Sequence, residues 1–162
     1  MAIDMFLKLG EVKGESHDGV HTREIDIHSL SWGMAQPGSM HTGNSGGTGK
    51  IRIHDLSLTK SFDGSSPRLM MACSSGAHYS HAVLTVRRAG GDAPAPYVTI
   101  TLEDVMVTAY STHATEGDEL MHEQFSLTFG KVEVSYLLRS GAGIQEDGPV
   151  QYGWDIRKNV KV

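Results

Sequence analysis

Hydrophobic and polar residues alternate along most of the chain with a period of two, which is typical of β-strands with one buried face. In three extended segments the alternation changes parity. A change of parity inside one run is what a β-bulge or a sharp strand bend produces. The three changes fall at His28–Ser29, at His54–Asp55 and at Gly130. We therefore predict long, bent strands that pass from one side of a core to the other.

Further strands and one short helix complete the predicted elements. The strands cover residues 82–88, residues 97–111 and the C-terminal segment VQYGWDI. The helix is predicted to have Ser66 as its N-cap, Pro67 at the first helical position and Gly76 just past its end. The pattern predicts a mainly β domain: a two-sheet barrel or sandwich with bent strands and one short flanking helix.

The composition bounds the class of protein. A chain of 162 residues is most naturally one domain, residues 1–162, large enough to bury roughly 70% of its unfolded surface. Its single cysteine, Cys73, cannot form an internal disulfide and is predicted to lie in the core, within the apolar stretch of the helix. The net charge of −5 is scattered, and strong nucleic-acid binding, which needs clustered Lys and Arg, is not expected.

Neither a targeting signal nor a membrane span is visible in the sequence. The N-terminal segment has Asp4 and Lys8 within its apolar part and lacks a basic start, unlike a secretory signal. No apolar run approaches the ~20 residues that cross a bilayer. We therefore expect a cytoplasmic protein without membrane insertion, whose export would proceed without a signal peptide.

The stretch GNSGGTGK resembles a phosphate-binding loop but fails its requirements. Asn44 replaces the first glycine of that motif, and Ile51 stands where a hydroxyl residue must bind magnesium. An alternating strand follows in place of a helix, so the dipole and the free N–H groups that bind phosphate are missing. Nucleotide binding is excluded. A glycine-rich loop of this length, residues 34–49, instead predicts contact with a partner surface.

No catalytic or cofactor site is predicted. The chain has no GxSxG nucleophile elbow: GNSGG fits the spacing, but a strand and not a helix follows this loop. The pairs His17/His21 and His78/His81 have spacings that suit metal ligands on a helix, but both pairs fall in loop or strand-edge sequence. A histidine-bound metal remains an alternative, since separate strands can converge.

Five segments, taken in order, carry a resemblance to a known family: MAIDMFLKLGEVKGES, LSWGM with the Gly/Ser-rich loop after it, SPRLMMACSSGAHY, AVLTVRRAGG and GPVQYGWDIRKN. Together they resemble the Hcp (haemolysin-coregulated protein) family over essentially the whole chain. The resemblance implies a tube protein of the type VI secretion system, similar in fold to phage tail-tube proteins. Such proteins form homohexameric rings that stack into a tube. The tube lies inside a contractile sheath, behind a spike protein, and is expelled with effector proteins in its lumen.

The resemblance suggests two candidate sites. If Leu30 and Trp32 lie in the core, Ser29 and Ser31 alternate with them and face outward, where small polar side chains would leave room for cargo in the lumen. Ordinary solvent-facing serines are the alternative. The loop after the SWG segment resembles the element that contacts the next ring, with a flexible connector as the alternative. Its candidate contact residues are Ser39, Met40, His41, Asn44 and Thr48.

The leading hypothesis is thus a non-enzymatic structural subunit, cytoplasmic while it assembles and then secreted. A monomeric or dimeric binding module on the same fold, and a histidine–metal enzyme, are the alternatives. The nine histidines belong to no motif of the resemblance, and they could make assembly sensitive to pH. Neither a cofactor nor a nucleic-acid partner is expected.

Overall fold

The chain is built mainly of β-strands, as its hydrophobic pattern predicts. The computed structural model describes residues 2–41, 49–89, 96–138 and 148–162. The elements of these residues are β1 Ile3–Leu9, β2 Ile25–Ile27, β3 Ser29–Ser31, β4 Met34–Ala35, β5 Arg52–Ile53, β6 Leu56–Ser61, α1 Ser66–Ser75, β7 His78–Arg88, β8 Pro96–His113, β9 His122–Tyr136, β10 Val150–Asp155 and β11 Val160–Lys161.

The two longest strands, β8 and β9, form an antiparallel hairpin that bends near its middle. The parity change predicted at Gly130 is confirmed, because Phe129 and Gly130 are adjacent and both buried. Opposite Gly130, Asp104 has a positive φ of 53°. A Cβ on Gly130 would lie 3.0 Å from Arg157 Nε and 3.4 Å from Asp104 Cβ. The bend therefore has little room for a side chain at position 130.

This bend divides the sheet into two layers. β9 pairs with β6 along its first half and with β10 along its second half. The first layer runs β11–β10–β9–β8–β7–β1–β2, and the second runs β3–β6–β9–β8. Among the described strands no pairing joins β2 to β6, so the hydrogen-bonded ladder does not close into a barrel. Of the two predicted forms, barrel or sandwich, the sandwich fits the structure.

The hydrophobic core draws on the inner faces of both layers. Leu7 and Leu84 come from the first layer, and Leu58 and Phe125 from the second. All four are fully buried. Burying a side chain of this size contributes roughly 1.5–3 kcal/mol.

The predictions of a bent strand at His28–Ser29 and at His54–Asp55 are wrong. At each of these positions one strand ends and another begins. At His28 the chain stops pairing with β1 and begins to pair with β6, and the His28 N–H donates to Thr59 O at 2.8 Å. At His54–Asp55 it passes from the small β4–β5 hairpin into β6. The expectation that Leu30 lies in the core is wrong: it is 37% exposed, because β3 is an edge strand.

The predicted helix is present, with its N-cap one residue earlier than expected. Ser65 is the N-cap and Ser66 the first helical residue, so Pro67 occupies the second helical position and not the first. The Ser66 hydroxyl donates to Glu123 and accepts from Lys60. Gly76 ends the helix in the left-handed conformation, at φ 67°, as predicted. Cys73 is half-buried and packs against the core. Within the described ranges no helix is long and apolar enough to cross a membrane.

Candidate functional site

The middle of the outer face of the second layer is a continuous surface of small, uncharged polar side chains. Directly opposed residues of antiparallel strands point to the same face, so the register brings side chains of β3, β6, β9 and β8 together. The alternate residues, such as Leu58 and Phe125, point into the core. We call this surface the hydroxyl face; its residues are Ser29, Ser31, Ser57, Thr59, Ser111, Gln124 and Ser126. By the same register, His113 and His122 lie on this side of the sheet, beyond the hydroxyl face at the tip of the β8–β9 hairpin.

Hydrogen bonds between neighbouring strands order the hydroxyl face. Ser29 Oγ lies 2.5 Å from Thr59 Oγ1, and Gln124 Nε2 donates to Ser57 Oγ at 2.8 Å. Every member is a hydroxyl or amide side chain, so none carries a charge. The surface is therefore hydrated and offers no strong electrostatic attraction to a solute that passes over it.

The predicted residues Ser29 and Ser31 both lie on this face and are exposed. They face outward even though Leu30 between them is not buried. Ser111 on β8 was missed by the sequence analysis, as were the members on β6 and β9. Their signal was present in the segments LSLTKS and QFSLTF, where small polar residues alternate with the core residues.

Two opposite edges of the hydroxyl face have no strand beside them. Among the described strands, β3 pairs only with β6, and the last part of β8, from Ala109 to His113, pairs only with β9. The backbone N–H and C=O groups along such edges can pair with a strand of another chain. The second layer is thus a four-stranded sheet that can be extended on both sides.

Directly beneath the hydroxyl face lies a buried ion pair. Lys60 Nζ contacts Glu123 Oε1, and both side chains are completely buried. Lys60 Nζ also donates to Ser61 O and to Asp63 Oδ1, each at 2.9 Å, and to Ser66 Oγ at 3.1 Å. The ammonium is fully satisfied, which a buried charge requires.

The Glu123 carboxylate connects three elements through this ion pair. It accepts from Ser66 Oγ of α1 at 2.9 Å and from the Tyr110 hydroxyl of β8. Burial, reinforced by the hydrogen bond to Glu123, raises the pKa of Tyr110 well above its ordinary value. The cluster fixes the start of α1 against the sheet that carries the hydroxyl face.

The loop of residues 34–49, predicted to contact the next ring, follows Trp32, which lies near the bend. Trp32 packs edge-on against Phe129 with ring centroids 6.2 Å apart, and Trp32 Nε1 donates to His54 O at 2.9 Å. Beyond this point β4 and β5 form a separate hairpin. The predicted contact residues stand as follows: Ser39 is half-buried, Met40 is 84% exposed, His41 is exposed, and Asn44 and Thr48 lie outside the described residues.

A second polar site, which the sequence analysis missed, lies at the far end of β7. Arg87 is 7% exposed and forms a two-point contact with Asp18, with Nη1 donating to Oδ1 at 3.1 Å and Nη2 donating to Oδ2. The Arg87 hydrogen bond, followed by that from the Val20 N–H, holds the pKa of the Asp18 carboxyl at about 2. We call the pair the Arg87–Asp18 clamp, because it ties the loop of residues 11–24 to β7.

Stacked aromatic side chains continue from the Arg87–Asp18 clamp. The Arg87 guanidinium lies 4.8 Å from the centroid of the Phe6 ring, and the His21 ring stacks on Phe6 at 4.5 Å with an interplanar angle of 7°. His21 Nδ1 in turn lies 2.5 Å from Glu24 Oε2. The loop is therefore held in one conformation by contacts along much of its length.

One histidine of each predicted pair has a different partner. His21 is engaged with Phe6 and Glu24, whereas His81 lies 3.6 Å from Glu103. Instead, the rings of His113 and His122 lie 5.5 Å apart at the tip of the β8–β9 hairpin. In the part of the chain that the structure describes, no three His, Cys, Asp or Glu side chains are grouped to hold a metal ion.

Comparison with known proteins gives a consistent set of matches. The family model described as type VI secretion system effector, Hcp, matches residues 6–136. Protein hcp1 of Pseudomonas aeruginosa is 51% identical over 161 residues, which cover 99% of each chain.

Solved structures with this fold include several secretion proteins. A structure of a type six secretion system protein has a TM-score of 0.92 at 27% identity and covers 99% of this chain and all of its own. The crystal structure of Hcp1 from Salmonella typhimurium has a TM-score of 0.82 at 30% identity, with both chains fully covered. The tube-terminating cap of the anti-feeding prophage, at 11% identity and a TM-score of 0.56, shares the fold over 82% of this chain and 87% of its own.

Proposed function

Because this chain belongs to the Hcp family of type VI secretion tube proteins, we propose that it assembles into hexameric rings that stack into a tube with the hydroxyl face lining the lumen. The observation that carries the proposal is the position of that face between two unpaired sheet edges. Six subunits per ring is an expectation taken from the family and not from the geometry of one subunit.

The two edges support ring formation because they differ from each other. Joining the β3 edge of one copy to the β8 edge of the next is a heterologous contact, and such contacts close into a ring when the rotation between copies is right. The second layers would then form one continuous sheet around the ring. Its inner surface would be the hydroxyl face, and the core-facing side would point away from the lumen.

A neutral, hydrated lumen suits the passage of proteins. A charged wall would hold cargo of opposite charge and repel cargo of like charge, and an apolar wall would bind unfolded segments. The Ser and Thr side chains avoid both, and Ser29 and Ser31 on the edge strand β3 lie where neighbouring subunits would meet. We assign them to the contact between cargo and wall.

The loop that connects β4 to β5 contacts the next ring, and its residue Met40 is an exposed apolar side chain. The tube works with a spike protein at its tip, a contractile sheath around it and effector proteins in its lumen. It assembles in the cytoplasm and is then secreted.

Negative-stain electron microscopy with light scattering on the same sample tests the ring. We expect rings with a central hole and a mass near six chains. A monodisperse monomer at 17.5 kDa would overturn the proposal and favour a monomeric binding module.

Charge on the hydroxyl face tests the lumen. Ser29→Glu with Ser31→Glu is expected to leave rings visible but to reduce co-purification of effector proteins, whereas Ser75→Glu, at an exposed position on α1, is expected to change neither. Unchanged effector binding by intact Ser29→Glu/Ser31→Glu rings would contradict the assignment of these two serines.

A further inference from the structure

Three histidines border one hollow beyond the end of the hydroxyl face. His113 is the last residue of β8, His122 is the first residue of β9, and the two are directly opposed. The hollow has a volume of about 400 Å³, and His28, which immediately precedes β3, borders it as well. Because the register puts the opposed pair on the same side of the sheet as Ser111 and Gln124, the hollow opens on the side of the hydroxyl face.

The His113–His122 pair has the spacing of a two-ligand metal site. The ring centroids lie 5.5 Å apart, and the ring planes are inclined by 32°. Two imidazole rings that bind one metal ion, each through a nitrogen at about 2.1 Å, have their centres roughly 5 Å apart. Directly opposed residues of antiparallel strands are held at a fixed spacing, so the backbone orders this pair before any ion binds.

The acidic side chains near the pair favour a cation. Asp118 Oδ2 lies 3.7 Å from His122 Nε2. A carboxylate beside a ligating imidazole orients the ring and makes it a stronger ligand. The turn of residues 114–121 also contains Glu116 and Glu119 and no Lys or Arg. The sequence at the tip of the hairpin therefore attracts positive ions.

The other ionisable groups that border the hollow do not repel a cation. Lys60 and Glu123 form the buried ion pair beneath the sheet, so the ammonium is neutralised by its own partner. His28 Nε2 lies 3.4 Å from Ser61 Oγ, and Ser61 is the residue of β6 opposite His122. His28 is therefore one strand away from the opposed pair and is not counted among its ligands.

We propose that His113 and His122 bind a divalent transition-metal ion through one ring nitrogen each. Imidazole suits Zn²⁺, Cu²⁺ and Ni²⁺, whereas Mg²⁺ and Ca²⁺ prefer oxygen ligands. The described residues offer two close ligands and not three, so water takes the remaining positions and the ion can exchange. The site belongs to a single subunit and goes beyond the tube function. In the proposed ring, six such sites would lie at one end of the lumen.

Metal titration of the full chain, prepared without a histidine tag, tests the site. Zinc binding, measured by isothermal titration calorimetry, is expected to fill one site per chain first. Copper(II) at one equivalent is expected to give an electron paramagnetic resonance spectrum with hyperfine coupling to two imidazole nitrogens.

Removal of either ligand is expected to weaken binding. His113→Ala and His122→Ala should each lower the zinc affinity at least about tenfold, since even the outer-shell partners of metal ligands change affinity by that factor. Each should also abolish the two-nitrogen copper spectrum. His28→Ala and His81→Ala, at two other exposed histidines, are the matched controls and are expected to change neither.

Moving the pair along the strands tests the geometry. Ser111 and Gln124 are directly opposed two positions along the same ladder. Ser111→His/Gln124→His, introduced into the His113→Ala/His122→Ala chain, is therefore expected to restore the two-nitrogen spectrum. Because all four positions lie at or near the exposed end of the hairpin, we expect these variants to fold, which circular dichroism checks.

The outcomes separate this inference from the tube function. Equal zinc affinity of the natural chain and the two single variants overturns the site, and so does a transplanted pair that binds no better than the double-alanine chain. A loss in His28→Ala as large as that in His113→Ala overturns the two-ligand assignment. Rings that bind no metal overturn the site alone, whereas a metal-binding chain that forms no rings overturns the tube function alone.

Discussion

The two faces of β6 and β9 place opposite demands on residues that alternate along the same strands. On the outer face, Ser57 and Thr59 lie in contact with solvent and with other hydroxyl groups. On the inner face, Leu58 and Lys60 are fully buried, and Lys60 depends on a charged partner from the other strand. The comparison shows that a polar residue on one of these strands can be an exposed surface residue or a buried, paired one. Its position in the alternation decides which face it lies on.

We therefore expect substitutions on the inner face to destabilise the protein and substitutions on the outer face to have little effect on its stability. A buried charge that loses its partner keeps its desolvation penalty, whereas an exposed hydroxyl that is removed is replaced by water. Three substitutions, taken in order of expected effect, test this difference.

The largest effect is expected from Lys60→Met, which leaves the buried Glu123 carboxylate without its ammonium partner. We expect the free energy of unfolding to fall by about 3–5 kcal/mol, measured by urea denaturation. Replacing both partners, in Lys60→Met/Glu123→Leu, removes the unpaired charge and should recover most of this loss. A loss below about 1 kcal/mol for the single variant would mean that the ion pair does not hold the cluster together.

A smaller effect is expected from Tyr110→Phe, which removes one donor to the same carboxylate. We expect a loss of about 1.5–3 kcal/mol near neutral pH. Because the pKa of Tyr110 is raised in the folded protein, its contribution is complete below pH 10 and is lost as the pH rises through the folded-state pKa. The difference between the natural chain and Tyr110→Phe should therefore shrink only at strongly alkaline pH.

Tyr152→Phe is the matched control for this pH dependence. Burial alone raises the pKa of Tyr152, with no carboxylate contact contributing to it. Its removal should cost less stability than Tyr110→Phe at neutral pH. Equal losses of stability in the two variants would show that the hydrogen bond to Glu123 is not the cause of the Tyr110→Phe effect.

The smallest effect is expected from Ser57→Ala combined with Ser126→Ala on the outer face. Both sites are partly exposed, and we expect a change within about 0.5 kcal/mol together with unaltered rings in electron micrographs. Leu58→Ala, adjacent to Ser57 but directed inward, should cost about 2–5 kcal/mol in the same assay. Comparable losses for the two changes would contradict the division into faces.

The sequence predicted much of the fold because parity is a local property. The bend at Gly130 and the helix before Gly76 follow from neighbouring residues, and both are confirmed. The break at His28 was not predicted, because it depends on β2 and β3 choosing different partners that are distant in sequence. Alternation alone cannot distinguish a bent strand from two strands that change partners.

The candidate site was predicted only in part for a related reason. Ser29 and Ser31 were found from their alternation, but the neighbours that make them a surface come from β6, β8 and β9 through register. The Lys60–Glu123 pair joins residues 63 positions apart and leaves no pattern in the chain. The Arg87–Asp18 clamp joins residues 69 positions apart and is invisible for the same reason.

The bent β8–β9 hairpin also has a consequence for how the subunit acquires its structure. Its pairs are nine positions apart at the turn, His113 with His122, and 38 apart at the far end, Val98 with Tyr136. Closing the short loop costs the least chain entropy, so pairing that nucleates at the turn can zip toward the far end. The same ribbon crosses from one layer into the other, and hydrogen exchange should therefore report both layers opening as one cooperative unit.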